Sequence, residues 1–402
     1  MRRVVVSGIG VICGLGSNRG QFEAALQSGR SGIGPITNVE CLDLRFSSGA
    51  EVRCYNPADH FSLKEADMID RFAQFAVIAA REAVVQSGIE WTPELKENSA
   101  IVTGSCIGGQ TTENQGFWDV YKLGKPRVHP MTIPKTMANA GASAISQEFG
   151  ITGPAFTVAT ACSSSTHAIG QAYMMVRSGM SDVALTGGSE APFSYGLLKA
   201  WEAMRVVSPT LCRPFSKDRN GMILGEGAAM LVLETLDHAI ARGATPIVEI
   251  VGFGMSSDAH HITQPSAEGA ARAIRMALKD GGLVPEQIEY INAHGTGTLA
   301  NDSSETCALK MAFGDHARKL AISSTKAMHG HTLGAAGAIE TTAAILAITG
   351  GVLPPTINFN ERDPECDLDY VPNCPRRRDV EYALSNSFAF GGLNAVVALK
   401  RY

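Results

Sequence analysis

The stretch FTVATACSSSTHAIGQAYMMVRSG, Phe156 to Gly179, decides how the rest of the chain is read. Its apolar opening, Phe156 to Ala159, predicts a strand that stops just before a single cysteine, Cys162. Ala168, Ile169, Ala172, Met175 and Val176 then recur at helical spacing, and Gly179 stands in the C-cap position. A strand that bends sharply into a helix holds the residue at the bend outward, with helix N–H groups aimed at it. For a thiol, the positive helix end favours thiolate; a fall of about 1.5 units from the ordinary value leaves roughly half of it ionised at neutral pH. A cysteine that is merely small, buried and apolar reads the same way so far. The rest of the chain has to separate the two.

With 402 residues the chain can bury one large core or two fused ones. Its 45% hydrophobic content, 18% charged content and 42 glycines describe a globular protein rich in tight turns. A net charge of −5 argues against general affinity for nucleic acid or an acidic membrane, so an acidic partner must find a local basic patch. Nine cysteines without a CxxC pair form neither a disulfide framework nor a zinc ribbon and suit a reducing, cytoplasmic setting. The start, Arg2-Arg3 followed by VVVSGIGVICGLG, imitates a leader peptide, but Ser7, Gly8, Gly10 and Gly14 interrupt it. Val4 to Val6 are better read as a first strand. The most apolar stretch, Thr332 to Pro354, carries Glu340 and several glycines, so no membrane span is expected.

In chain order, Gly8-Ile9-Gly10 fails as a dinucleotide fingerprint because Cys13 occupies its sixth position. Phe61 to Gly88 reads as a helix, and Ala100 to Gly109 as a strand entering a glycine turn. The Cys162 unit follows, then Asp182 to Ala191, a strand running into Gly-Gly. Ala228 to Glu234 and Ile247 to Phe253 are further strands. The order then recurs: Ile288 to Thr298 is a strand entering a glycine turn. Ala321 to Gly350 is a strand, a polar loop with Lys326 and His331, and an Ala-rich helix. Leu384 to Asn394 is again a strand meeting Gly-Gly. An internal duplication explains this most economically, with two α/β sheets and helices on their faces. The halves divide as residues 1–244 and 245–402. Sites in such folds gather where loops leave the carboxyl ends of strands, and Cys162, His294, His331 and the loop near Phe390 all stand there.

The histidines differ in promise. His167 lies five positions beyond Cys162, about 140° away around a helix, and reads as packing. His260 and His261 sit in a polar loop and read as solvent-exposed. His329 and His331 form an HxH pair with no further ligand at metal spacing, so no metal is expected. His294 and His331 each follow a strand beside a glycine, which suits a side chain held at a tight turn, but packing remains open for both.

Five blocks then carry a resemblance: TACSSS from Thr160, RPFSKDRNGMILGEGA from Arg213, NAHGTGT from Asn292, SSTKAMHGHTLGAAGAIE from Ser323 and NSFAFGGLN from Asn386. In this order the chain resembles the β-ketoacyl-acyl-carrier-protein synthases of the type II, elongating branch of the thiolase superfamily. LKAWEAMRVVSP from Leu198, with His329, is similar to the nodulation-type synthases. The resemblance implies a thiolase fold of two duplicated halves, layered α-β-α-β-α, and a homodimer. It implies catalytic Cys162, His294 and His331, with Lys326 beside them and Glu340 structural. It also implies an oxyanion hole at Cys162 and Phe390, and contacts to the phosphopantetheine arm from Thr296 and Thr298. Phe390 is the implied gating residue, Phe388 a substrate contact, and Ile107 lines the acyl pocket. Acyl carrier protein is the implied partner, with Lys64, Arg127 and Arg205 as docking candidates; a chain-length-factor-like partner is a further possibility. The implied reaction is decarboxylative Claisen condensation without a cofactor. Ala389 and Leu393 depart from the family's usual glycine and threonine, and basic residues are missing around Asp67 and Met68. A thiolase would need a second cysteine where Ser387 and Phe388 stand, and a non-catalytic partner subunit would lack the nucleophile.

Overall fold

Val4 begins a strand that runs well past the predicted Val6: β1 spans Val4–Cys13 and every residue of it is buried. The glycines that looked like interruptions are where a helix presses on the strand. A Cβ at Gly8 would lie 2.0 Å from the Ala83 carbonyl oxygen, and one at Gly10 1.9 Å from that of Ala79. That helix, α1 (Arg71–Ser87), is capped by Asp70, whose carboxylate accepts from Phe72 N–H at 3.2 Å, and ends at left-handed Gly88. The expected single helix from Phe61 is therefore two, Leu63–Met68 and α1, parted by extended Ile69 and the Asp70 cap. This computed structural model describes every residue except Met1, Leu42 and Cys54.

The strands that the N-terminal half adds to β1 in the ten-stranded sheet are β2 (Ser99–Gly104), β3 (Ala155–Val158), β4 (Val183–Glu190) and β5 (Gly227–Thr235). Those of the C-terminal half are β6 (Val248–Ser257), β7 (Tyr290–Asn292), β8 (Ala321–Ser323), β9 (Tyr382–Ala389) and β10 (Leu393–Arg401). The order across the sheet is β3-β2-β4-β5-β1 and then β6-β10-β9-β7-β8. Each half has parallel pairs on its outer side and antiparallel pairs toward its first strand, in the same sequence. The topology thus repeats as the motifs do. One expectation needs correction: the halves are joined edge to edge rather than forming separate sheets. Val4, Val5 and Val6 pair with Ile250, Glu249 and Val248.

Helices α3 (Ser164–Ser178) and α7 (Ala336–Gly350), the latter preceded by the short α6 (Lys326–His329), each contact strands of both halves and one another, so the two half-sheets face each other across α3 and α7. α1 and α2 (Ala140–Phe149) cover the outer N-terminal face, and α4 (Ala267–Gly281) and α5 (Leu299–Phe313) the outer C-terminal side. This gives an α-β-α-β-α stack. The apolar segment 333–350 is mostly buried at its centre.

Because α1 rests directly on β1, Gly10→Ala should destabilise the fold by about 1–3 kcal/mol through overpacking. Gly20→Ala, where the added Cβ meets only an ordinary 3.5 Å contact on a helix, is the matched control. A thermal melt of both variants checks this; equal midpoints would contradict the packing account.

Candidate active site

Strand β3 stops short of Cys162, and Ala161 takes a left-handed φ of 51°, a conformation costly for a residue with a Cβ. One turn of 3₁₀ helix, Ala161–Ser163, then leads into α3. The C-terminal half ties this bend down. Ser163 Oγ donates to the Leu393 carbonyl at 2.9 Å, Thr166 and Ser387 share a hydroxyl hydrogen bond at 2.7 Å, and Ala338 N–H donates to Ser165 Oγ at 2.9 Å. The bend at Cys162 is therefore held by groups more than 170 positions away in sequence.

His294 sits just beyond β7. The Glu305 carboxylate, reaching back from α5, accepts from the N–H groups of His294 and Gly295 at 2.9 and 2.8 Å. His331 is pinned through its backbone: its N–H donates to the Ile223 carbonyl at 2.6 Å, and its carbonyl accepts from Gly225 at 2.9 Å. The two rings stand edge to face, with centroids 5.4 Å apart. One ligand atom from each of Cys162, His294 and His331 can be chosen so that all three lie within 4.8 Å of one another. A donor set of one thiol and two imidazoles could also hold a soft ion such as zinc. The expectation of no metal had weighed only the His329–His331 pair.

Lys326 is completely buried beside them. Its ammonium donates to the Glu340 carboxylate, to the His294 carbonyl at 2.6 Å, and toward His294 Nδ1 at 3.3 Å. Leu333 N–H donates to His331 Nδ1 at 3.2 Å. With both Nδ1 atoms accepting, the assigned tautomer places each ring proton on Nε2. Burial, then the Lys326 charge, then a neighbouring imidazole push the pKa of both rings well below the ordinary range. Both are neutral donors at physiological pH. Burial pushes Glu340 up to about 7 against the pull of Lys326.

The thiol does not follow the expectation. Burial drives Cys162 up to about 11, outweighing the groups that lower it: the Lys326 charge, the Phe390 N–H and its own N–H. The helix end helps the anion, but removal from water costs more. Both backbone N–H groups named for the oxyanion hole do point at this sulfur.

A cavity of about 210 Å³ opens onto the trio. Thr296, Thr298, Phe388 and Phe390 line it; the two threonine hydroxyls are 2.8 Å apart, and Thr298 also caps α5. Ile107 does not line it. That residue packs in an apolar cluster with Phe46, Phe193, Leu198 and Leu333, and Trp201, Val206 and Met222 form the wall shared by cluster and cavity. Trp201, on the helix Tyr195–Met204, carried no signal in the sequence although it lies within the block quoted from Leu198. Nor did the His261–Pro265 side of the mouth; His260 and His261 are exposed as expected, but His261 lines the entrance. His167 packs as predicted, with Nδ1 against the Thr160 hydroxyl at 3.0 Å. Ala389 is extended at φ −107°, where an alanine is unstrained. Lys64 and Arg127 are exposed, and Asp67 ties the helix of Lys64 to His129 and Lys135 beyond Arg127. Arg205 is exposed between Met204 and Val206 at the cavity rim.

Comparison with known proteins shows the family. Residues 1–239 match the family described as beta-ketoacyl synthase, N-terminal domain, and residues 247–360 its C-terminal domain. The chain is 47% identical to Nodulation protein E of Rhizobium sp. (strain N33), over all of this chain and 99% of that one. It is 42% identical to 3-oxoacyl-[acyl-carrier-protein] synthase 2 of Synechocystis sp. (strain ATCC 27184 / PCC 6803 / Kazusa), over all of this chain and 98% of that one. Among solved structures, the ishigamide ketosynthase/chain length factor superposes with a TM-score of 0.95 at 38% identity, over all of this chain and 99% of that one. With its duplicated thiolase fold, the chain belongs to the β-ketoacyl synthase family, whose members condense acyl chains.

Proposed function

We propose that Cys162 is the acylated nucleophile of a decarboxylative Claisen condensation and that His294 and His331 hold the enolate. The observation that carries this is the meeting of one sulfur with two imidazoles whose Nδ1 atoms are already engaged. Attack by Cys162 on the thioester breaks the carrier's C–S bond and forms the acyl-enzyme; the proton that the Cys162 thiol gives up ends on the departing carrier thiolate. The N–H groups of Cys162 and Phe390 then face the acyl carbonyl oxygen. Losing one such donor costs about 3–4 kcal/mol of barrier. A malonyl thioester next enters along Thr296 and Thr298. Its carboxylate departs as CO2, and the electrons of that bond form an enolate whose oxygen accepts from both Nε2–H groups. The carbanion attacks the acyl carbonyl, and collapse of the tetrahedral intermediate frees Cys162.

Two neutral donors suit this better than a base. An imidazolium–imidazole pair would carry a charge that the adjacent Lys326 opposes. Lys326 positions the His294 turn, and Glu340 keeps its charge compensated. The reaction needs no metal or organic cofactor, since the thioester and the departing CO2 supply the driving chemistry.

Acyl carrier protein is the substrate carrier in this reading, meeting Lys64, Arg127 and Arg205 outside the cavity mouth. Residues 1–244 supply the nucleophile and residues 245–402 the histidines. A homodimer is supported by β3, an outermost strand with Ala155 and Phe156 exposed, and by the exposed apolar Phe117, Trp118, Tyr121 and Ile133. A partner of the chain-length-factor kind could occupy the same edge. Eight described cysteines are free thiols, which suits the cytoplasm.

Cys162→Ala should abolish acyl-enzyme formation yet still release CO2 from malonyl-carrier protein; condensation by this variant would remove Cys162 from its role. His294→Ala should slow that CO2 release by about a hundredfold or more, and an unchanged rate would remove His294. With the thiol near 11, labelling of Cys162 by iodoacetamide, followed by peptide mass spectrometry, should keep accelerating from pH 7 to 9. A plateau reached below pH 8 would contradict the raised value.

A further inference from the structure

The bend at Cys162 has a counterpart in the other half. The 3₁₀ turn Ala161–Ser163 leads into α3, and the 3₁₀ turn Leu333–Ala335 leads into α7. Each opens on a left-handed residue, Ala161 at φ 51° and Leu333 at φ 49°. Gly334 therefore stands where Cys162 does. Strands β4 and β9 hold equivalent places in the two half-sheets. Phe390, just past β9, turns its N–H to the Cys162 sulfur. Glu190, the last residue of β4, turns a carboxylate to Gly334, whose N–H donates to Oε2 at 3.0 Å.

Glu190 is completely buried, and the groups that donate to it are uncharged. Besides Gly334, these are Cys106 N–H at 2.7 Å and Ser105 Oγ at 2.9 Å. A buried carboxylate without a cation persists only where hydrogen bonds satisfy it. The fit is close: a Cβ on Gly334 would lie 2.5 Å from both Glu190 Oε2 and the Cys106 nitrogen. One residue earlier, Leu333 N–H donates to His331 Nδ1 at 3.2 Å. That donor belongs to a backbone conformation costly for a residue with a Cβ, which survives only where its surroundings enforce it.

Resting on the reading of His331 as an enolate donor, we infer that Glu190 is a positioning residue for the decarboxylation step. By clamping Gly334 it holds the strained Leu333 turn, so that Leu333 N–H reaches His331 Nδ1 and the ring keeps its proton on Nε2. Glu190 does not line the cavity, so its effect reaches the chemistry through His331. What matters is an acceptor at the Oε2 position. The amide oxygen of Glu190→Gln can accept from both N–H groups while its NH2 donates to Ser105 Oγ, so this variant should keep the clamp. Glu190→Leu removes the acceptor, and Glu190→Asp draws it back by one methylene.

The test follows whole, folded protein by nitrogen-15 NMR of labelled histidines and by CO2 release from malonyl-carrier protein. In Glu190→Leu and Glu190→Asp, His331 should gain a form with its proton on Nδ1 while His294 stays Nε2–H. The kcat for CO2 release should fall about tenfold or more, with KM within about twofold. Glu190→Gln should match wild type in both readouts. Should Glu190→Leu fail to fold, Glu190→Asp, which retains the carboxylate, carries the test. An unaltered His331 and a wild-type rate in the variants that fold would overturn the inference. So would an equal change at His294, the mark of general loosening, or a Glu190→Gln as impaired as Glu190→Asp. A wild-type His331 that is charged or protonated on Nδ1 would instead overturn the enolate-donor reading, and the inference with it.

Discussion

The site is built around one buried positive charge. Lys326 has no exposure to solvent, and its ammonium is divided among the Glu340 carboxylate, the His294 carbonyl and the His294 ring. A charge removed from water persists only when its partners are in place, and stripping one partner from such a pair costs about 3–5 kcal/mol. The lysine thus fixes what surrounds it. It locks the His294 turn, directs that ring's proton to Nε2, and opposes a second positive charge on either imidazole. It also lowers the thiol's pKa against a burial that otherwise dominates. One ammonium bears on the protonation of Cys162, His294 and His331, second to burial at each.

The duplicated topology explains why groups so distant in sequence meet. Each half carries its equivalent strands in the same order, and the two half-sheets face one another across α3 and α7. The bend at Cys162 opens α3, while the segment carrying Lys326 and His331 leads into α7. Glu340, within α7, reaches back to the lysine. The central layer is therefore both the core of the fold and the support of the chemistry. Its helices carry small residues at contacts where larger ones would part the halves: a Cβ at Gly337 would fall 1.8 Å from Thr166 Oγ1.

Much of this could be read from the chain itself. The strand–cysteine–helix unit, the recurring strand and glycine-turn order, and the glycines beside His294 and His331 are local patterns with local causes. What escaped depends on tertiary contact. The glycines of β1 read as interruptions because the closeness of α1 is invisible in sequence. The thiol's raised pKa was missed because the helix end is a local feature, whereas burial is a property of the whole layer. Ile107, read into the acyl pocket, packs in the apolar cluster that shares Trp201, Met222 and Val206 with the cavity, a neighbourhood that only the tertiary fold assembles. Glu305 went unremarked because an acid eleven positions past His294 carries no signal until α5 turns it back onto the backbone.

The central claim is that the His294 and His331 imidazoles are both neutral and carry their protons on Nε2. Nitrogen-15 NMR of histidine-labelled protein reads this directly, because the two tautomers and the imidazolium have distinct ring-nitrogen shifts. Histidine-to-asparagine variants assign the His294 and His331 signals. The account predicts neutral Nε2–H rings for both, unchanged when the sample is brought to about pH 6, below the ordinary histidine value. An imidazolium at either position under those conditions, or a proton resident on Nδ1, would contradict it.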